Sequence, residues 1–398
     1  MEPDTASLLG QIDSLGKTLS GDPEQDCTTR KQLRIAARNL TRALEEPGDV
    51  IERVCWQFLE TVSIRIAINL NMFNILVKSV RPLKLLELAT ATGADPVLLA
   101  RILRSLGSIG AVAEINENGE EAYAPTKMSK TFVIPALAAG VEIMFDVFSP
   151  NWNALPAYLA AKNYENPTDV MDTAFHVAHH TTDHFMKFLA AKPDPRKAFQ
   201  LYMTGFDEGR GSWMDFFPVK ENLGIGARDD EAAIMFVDIG GGMGHEAVAL
   251  KKRFPDLPGR FVVQDLPQVI AGLNLDAEVE SMAHDFFTLQ PLQGARVYYV
   301  RNVLHNWNDA LCHQILKHIR AAMDPLYSKV LINQWVVPTQ HATSFMTHMD
   351  LNMMATLSAM ERTESQMHAL LEGAGLKIAH IWKPADVENE CTIEAVAC

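Results

Sequence analysis

Three glycines at alternate positions, Gly240, Gly242 and Gly244, follow an apolar run ending in Val237-Asp238-Ile239 and precede the helix-favouring Glu246-Ala247-Val248-Ala249-Leu250. This order reads as a strand, a tight turn and a helix start. Glycine suits the turn because its backbone takes positive φ and because a Cβ would keep a ligand away from the helix N-terminus. The chemistry implied is the binding of a nucleoside-like cofactor. A second apolar run ends in Gln264-Asp265-Leu266-Pro267, where a nucleotide-binding unit puts a carboxylate on ribose hydroxyls. Ala283-His284-Asp285-Phe286-Phe287 offers an acid and an aromatic ring to hydrogen-bond and pack an adenine. A fourth run, Val297-Tyr298-Tyr299-Val300, leads into Arg301-Asn302-Val303-Leu304-His305-Asn306-Trp307-Asn308-Asp309. It ends in the polar cluster expected at the carboxyl edge of an open α/β sheet, where ligands collect. An imidazole there, with a reference pKa of about 6.5, can accept a proton from a hydroxyl as a bond to its oxygen forms.

The elements that must position these groups start far upstream. Residues 1–45 read as a helix or two with a polar linker, serving either as a surface extension or as an arm reaching a second subunit. A strongly helical apolar pattern fills residues 50–77. Two helices then follow, joined at Gly93, the second opened by Asp95 and Pro96 as cap and first-turn pair. Val112-Ala113-Glu114-Ile115 and Glu121-Ala122-Tyr123-Ala124 flank a polar turn as a hairpin. Helix, turn, helix and hairpin together make a winged helix. DNA contact by it is disfavoured, because its second helix offers only Arg101 and Arg104 in a chain of net charge -14. His176, His179, His180 and His184 are spaced for one helical face, either as a cavity lining or as metal ligands; no carboxylate pattern completes a metal site, and none is assigned.

The sequence of 398 residues, 48% hydrophobic and 21% charged, suits two domains with a sizeable core. Five widely spaced cysteines without a Cys-x-x-Cys pair indicate neither a disulfide framework nor a zinc site. With no apolar stretch of membrane-spanning length, a soluble cytoplasmic protein is expected, without nucleic-acid or membrane partners.

Taken in order, Val-Asp-Ile-Gly-Gly-Gly from Val237, Gln264-Asp265-Leu266-Pro267, His284-Asp285-Phe286-Phe287 and Val303-Leu304-His305-Asn306-Trp307-Asn308-Asp309 resemble the class I S-adenosylmethionine-dependent O-methyltransferases. These are the plant caffeic acid type and its fungal natural-product relatives, which include methyltransferase-like pericyclases. The resemblance implies an α/β fold with three parts: a helical, winged-helix dimerisation domain at residues 1–150, connecting helices lining a substrate pocket at 151–229, and a Rossmann-like catalytic domain with a mostly parallel sheet at 230–398. It also implies S-adenosylmethionine as cofactor, bound by Gly240, Gly242, Gly244, Asp265, Leu266, Asp285, Phe286 and Arg301, and a homodimer.

By the same resemblance His305 is the base and Glu361 its carboxylate partner, with Asn306 and Gln334 standing where plant members carry further acids. Fewer charges would stabilise an imidazolium less and lower the His305 pKa. Arg301 is expected either to face the substrate or to pair with Asp265. Met203, Phe206, Trp152, Phe175, Met349 and Met353 form the expected pocket for a hydrophobic aromatic or polyketide-like substrate; Met203 reads equally as core filling. The expected activity is O-methyl transfer to a hydroxyl. Dehydration or pericyclic cyclisation on the same fold is the alternative, and a non-catalytic dimeric scaffold a third.

Overall fold

The structure, a computed structural model, describes residues 4–22, 26–117, 119–205, 211–275, 278–384 and 390–398. The chain divides into two compact units, Met1–Phe145 and Asp146–Cys398.

In the first unit the apolar pattern over residues 50–77 is not one helix but three, Pro47–Trp56, Phe58–Asn69 and Met72–Lys78. The break before Met72 falls at Asn71, whose φ of 53° lies in the left-handed region and ends the i to i−4 ladder. Leu85–Thr92 stops at Gly93 (φ 72°), and Pro96–Ser108 starts where the Asp95 carboxylate accepts from the amides of Val97 and Leu98. The strands Val112–Glu117 and Glu120–Pro125 form the antiparallel hairpin, joined at its edge by Leu83–Lys84. Apolar residues at helical spacing, Leu99, Leu103 and Leu106, turn inward onto Phe73, Leu76, Leu88 and Tyr123.

The second unit is built on a seven-stranded sheet. Its strands are β1 (Ile234–Ile239), β2 (Arg260–Asp265), β3 (Val279–Ala283), β4 (Val297–Arg301), β5 (Lys329–Gln334), β6 (Leu376–Trp382) and β7 (Cys391–Ala397), in the spatial order β6-β7-β5-β4-β1-β2-β3. Strands β1 to β5 are parallel, and β7 lies antiparallel between β5 and β6. Alternate residues of the central strands feed two cores, as expected for strands covered on both faces. Tyr298, Val300 and Ile332 pack with helices α1 (Asp309–Ala322) and α2 (Glu364–Glu372), whereas Phe236, Tyr299 and Leu331 pack with Trp213, Phe217 and Leu250. Arg296, just before β4, is buried and donates to the carbonyls of Asn222, Leu223, Ile225 and Tyr327, tying the preceding connection to the sheet.

Among the helices of the same unit are Ser149–Ala161, Ala174–His179, Phe185–Ala190 and Ser344–Leu357. Trp152 Nε1 donates to Asn352 and Asn151 Nδ2 to Thr356, joining the first helix to the last. The four histidines do not share one helix face. His176 and His179 lie on Ala174–His179, His180 ends it with a left-handed φ of 48°, and His184 caps Phe185–Ala190. Among the described residues no cluster of acids, histidines and cysteines is placed to hold a metal ion, and no helix is long and apolar enough to cross a membrane.

Candidate active site

The glycine turn follows β1 directly and caps the helix His245–Arg253 with Gly244. Gly240 and Gly244 have φ of 69° and 75°, and a Cβ on Gly240 would fall 2.9 Å from Val303 Cγ2. The turn is tied to the neighbouring strand: the amides of Gly240 and Gly241 donate to the Gln264 carbonyl, and Gly242 N–H donates to Asp265 Oδ2 at 2.9 Å. The other Asp265 oxygen accepts from the amide of Leu266 at 2.7 Å, and the Leu266 side chain is exposed. The Phe286 ring packs against the Gly240 position and edge-on to Trp307. Asp285 is exposed and caps the amide of Phe287. The cradle thus has an open glycine surface, an acid at the strand end and an aromatic wall, which fits an adenosine group.

Asp238 lies beneath this turn, 2% exposed, with Oδ2 unpartnered. Burial, reinforced by the nearby Glu246 charge, pushes its carboxyl up to about 8. A cavity of about 230 Å³ opens beside the first turn of the same helix, lined by Ser212, Trp213, Glu246, Arg301, Asn333 and Glu390. Arg301 is engaged there, donating from Nη1 to Glu246 Oε1 at 2.5 Å and from Nε to Glu390 Oε2 at 2.8 Å. Both carboxylates hold the guanidinium, where the sequence led to a substrate-facing side chain or a pair with Asp265.

His305 sits in a short helical turn, Leu304–Asn306, at the exit of β4 and is 7% exposed. Its Nδ1 lies 2.7 Å from Glu361 Oε1, which makes Nδ1 the protonated nitrogen and leaves the lone pair on Nε2. Burial alone would lower the imidazole pKa. The Glu361 charge and hydrogen bond, with smaller contributions from Glu390 and the Asn302 carbonyl, outweigh it, and the ring is held above its ordinary value. One buried carboxylate in direct contact thus holds the ring above its ordinary value even with Asn306 and Gln334 uncharged. The loop is clamped from below by Arg362, 0% exposed, which donates to the carbonyls of Leu304 and Trp307 and to Asp309.

Asn306 does not replace a carboxylate beside the ring; its Nδ2 donates to the Asn302 carbonyl at 2.9 Å. Gln334, at the end of β5, is wholly buried with both amide atoms unpartnered, so no hydrogen bond from it orients His305. Of the expected pocket, Trp152 and Met203 carry exposed surface, Met349 is half-buried and Met353 buried. Phe175 is 0% exposed and packed against Phe185, Phe188 and His179. Phe206 lies outside the described residues. Glu246, Glu390 and Asn302 were not anticipated. Only Glu246, in the first turn after the glycines, carried a positional signal.

The O-methyltransferase domain matches residues 225–377, and the O-methyltransferase dimerisation domain matches residues 53–135. Methyltransferase cfoC of Aspergillus candidus is 40% identical over 390 residues, covering 96% of both chains. The chain belongs to the O-methyltransferase family. Two solved structures are similar over 99% of this chain, each at a TM-score of 0.87 and 31% identity. One is described as a pericyclic reaction enzyme, covered over 99% of its length, and the other is LepI in complex with S-adenosylmethionine, covered over 98%. The fold is therefore the α/β methyltransferase fold, and the cofactor is S-adenosylmethionine.

Proposed function

We propose that this enzyme methylates a hydroxyl of a hydrophobic aromatic or polyketide-derived molecule, with His305 as general base. The observation that carries the reading is the buried His305 Nδ1 to Glu361 Oε1 contact of 2.7 Å, which leaves Nε2 basic at the carboxyl edge of the sheet beside the glycine cradle. The cofactor, when bound, supplies an electrophilic methyl group. Nε2 of His305 takes the hydroxyl proton as the oxygen–carbon bond forms, and Glu361 stabilises the imidazolium that results. Asp265 holds ribose hydroxyls, Gly240, Gly242 and Gly244 admit the cofactor to the helix N-terminus, and Asp285 and Phe286 face the adenine. The acid-rich cavity at Glu246 and Glu390 suits an ammonium group, with Arg301 as the counterpart for a carboxylate. Met203, Trp152, Met349 and Met353 offer apolar surface to the substrate, with Phe206 assigned there by sequence alone. Positioning and the exclusion of water supply most of the acceleration.

A homodimer in the cytosol completes the reading. Ile51, Val54 and Trp56 are 61%, 63% and 62% exposed on one helix, more apolar surface than a solvated face ordinarily carries. A clean monomer in sedimentation at micromolar concentration would remove this claim.

A second reading, dehydration or pericyclic ring closure with the cofactor serving only as a charge, is favoured by the similarity to a pericyclic reaction enzyme. The test incubates protein and S-adenosylmethionine with phenolic polyketides, following product mass and S-adenosylhomocysteine. A gain of one methylene unit with stoichiometric S-adenosylhomocysteine supports methyl transfer, and His305→Ala then abolishes turnover while cofactor affinity stays. An unchanged or dehydrated product with the cofactor required but unconsumed establishes the second reading.

A further inference from the structure

The segment bearing His305 leaves β4 through Asn302, whose φ of 52° lies in the left-handed region. Asparagine tolerates this conformation better than most side chains, yet it is rarely adopted without support. Three polar groups of Asn302 have partners, two of them at other strands and one within the turn, while its Oδ1 is buried without one. Its backbone N–H donates to the Asn333 carbonyl at 3.2 Å, its carbonyl accepts from Asn306 Nδ2, and its Nδ2 donates to Glu390 Oε1 at 2.8 Å. Glu390 is 7% exposed and gives its second oxygen to Arg301 Nε. One buried carboxylate at the head of β7 therefore grips two consecutive residues of the turn from which His305 projects.

Charge neutralisation of Arg301 does not account for this arrangement, because Glu246 already serves that guanidinium. What Glu390 adds is the fork that receives both the Arg301 side chain and the Asn302 amide. We propose that Glu390 is a positioning residue for His305, fixing the left-handed turn at Asn302 so that the imidazole meets Glu361. The proposal rests on the reading of His305 as the base. The charged and titratable groups around His305 are Glu361 and Arg362 from the segment entering α2, Asp350 bonded to the Glu361 amide, Cys312 and Asp309 from α1, and Glu390 with Arg301.

The test uses full-length protein labelled with nitrogen-15 at histidine, the His305 ring signals being identified by their absence from the His305→Gln spectrum. The ring midpoint is followed by pH titration, and S-adenosylhomocysteine affinity is measured alongside. Glu390→Asp keeps the charge but draws the carboxylate back by one methylene, so it cannot reach both partners. Glu390→Gln keeps the length but removes the charge and one of the two acceptor oxygens, so it too can accept from only one of the two partners. If Glu390 positions the loop, both variants move the His305 midpoint down by roughly half a pH unit or more and shift its ring signals. A Glu390→Asp protein with wild-type His305 signals would show an effect of charge alone and overturn the proposal, as would a Glu390→Gln protein with an unmoved midpoint. Should Glu390→Asp fail to fold, Asn302→Ala, which removes the gripped amide, takes its place, and wild-type His305 signals there overturn the proposal equally. This readout needs no turnover, so loss of the base assignment in the His305→Ala assay is separable from loss of the positioning role.

Discussion

Glu361→Gln removes one charge from the buried pair and leaves its shape nearly unchanged. The glutamine oxygen can still accept from His305 Nδ1, so the loss is the difference between a charge-assisted and a neutral hydrogen bond. The partners are 2.7 Å apart with side chains 9% and 0% exposed, and solvent screens the pair little. Charge-assisted bonds are worth roughly 1.5–3 kcal/mol and about twice their neutral counterparts, so the imidazolium loses roughly 1–1.5 kcal/mol. That corresponds to a fall of about one unit in the His305 pKa and a turnover about 5- to 10-fold lower on the pH plateau. The acid limb of the pH–rate profile moves to lower pH at the same time, because a weaker base stays neutral further into acid. Stability carries a matching sign. The His305 pKa is raised above its ordinary 6.5, so the pair's contribution is fully present below that value and is lost as pH rises through the folded value. The melting-temperature gap between wild type and Glu361→Gln is therefore widest on the acid side of neutrality and narrows above it. An unmoved acid limb together with wild-type plateau turnover would refute the reasoning.

Asp238, held up at about 8 from an ordinary 3.8, is protonated at neutral pH when the cradle is empty, and a cationic cofactor nearby favours its ionisation. The raised value means that its contribution to the stability of the empty protein is fully present below about 3.8 and is lost progressively as pH climbs to about 8. S-adenosylmethionine binding at pH 7 should accordingly release a proton, read by calorimetry as an enthalpy that varies with the buffer, and Asp238→Asn should abolish the dependence; buffer-independent heat in the wild type would contradict this. Gly240→Ala, which puts a Cβ 2.9 Å from Val303 and strains a φ of 69°, should weaken S-adenosylhomocysteine binding more than 10-fold by roughly the cost of one forced contact and conformation, with the circular dichroism spectrum unchanged. Wild-type affinity would count against the turn as the cradle. Gln334→Leu, replacing a buried amide with no partner, should raise stability by roughly 1 kcal/mol in denaturant unfolding; a less stable variant would mean the amide is satisfied by internal water.

The parts of the site legible in the sequence are those set by local chemistry. Gly240, Gly244 and Asp95 declare turns and caps because each meets a backbone requirement within a few residues, and the apolar runs of β1 and β4 announce strands buried on both faces. The break at Asn71 was hidden because apolar periodicity continues across it while a single left-handed residue ends the helix. The His176 to His184 spacing misled for a similar reason, since His180 closes one helix and His184 opens another. Long-range electrostatics were least legible. Nothing near Arg301 foretells that its partners are Glu246 and Glu390, 55 and 89 positions away, or that Asn306 would turn back onto Asn302 instead of toward the imidazole.

The wedging of β7 between β5 and β6 has a consequence for how the protein becomes competent. Helices and the hairpin close over short stretches of chain, whereas β7 must find β5 across the intervening α2 and β6, and pairings of such separation form slowly. Glu390 arrives with that strand, so the grip on Arg301 and Asn302 waits on a long-range sheet pairing. A refolding chain should recover its helical signal well before the His305 loop takes its native geometry.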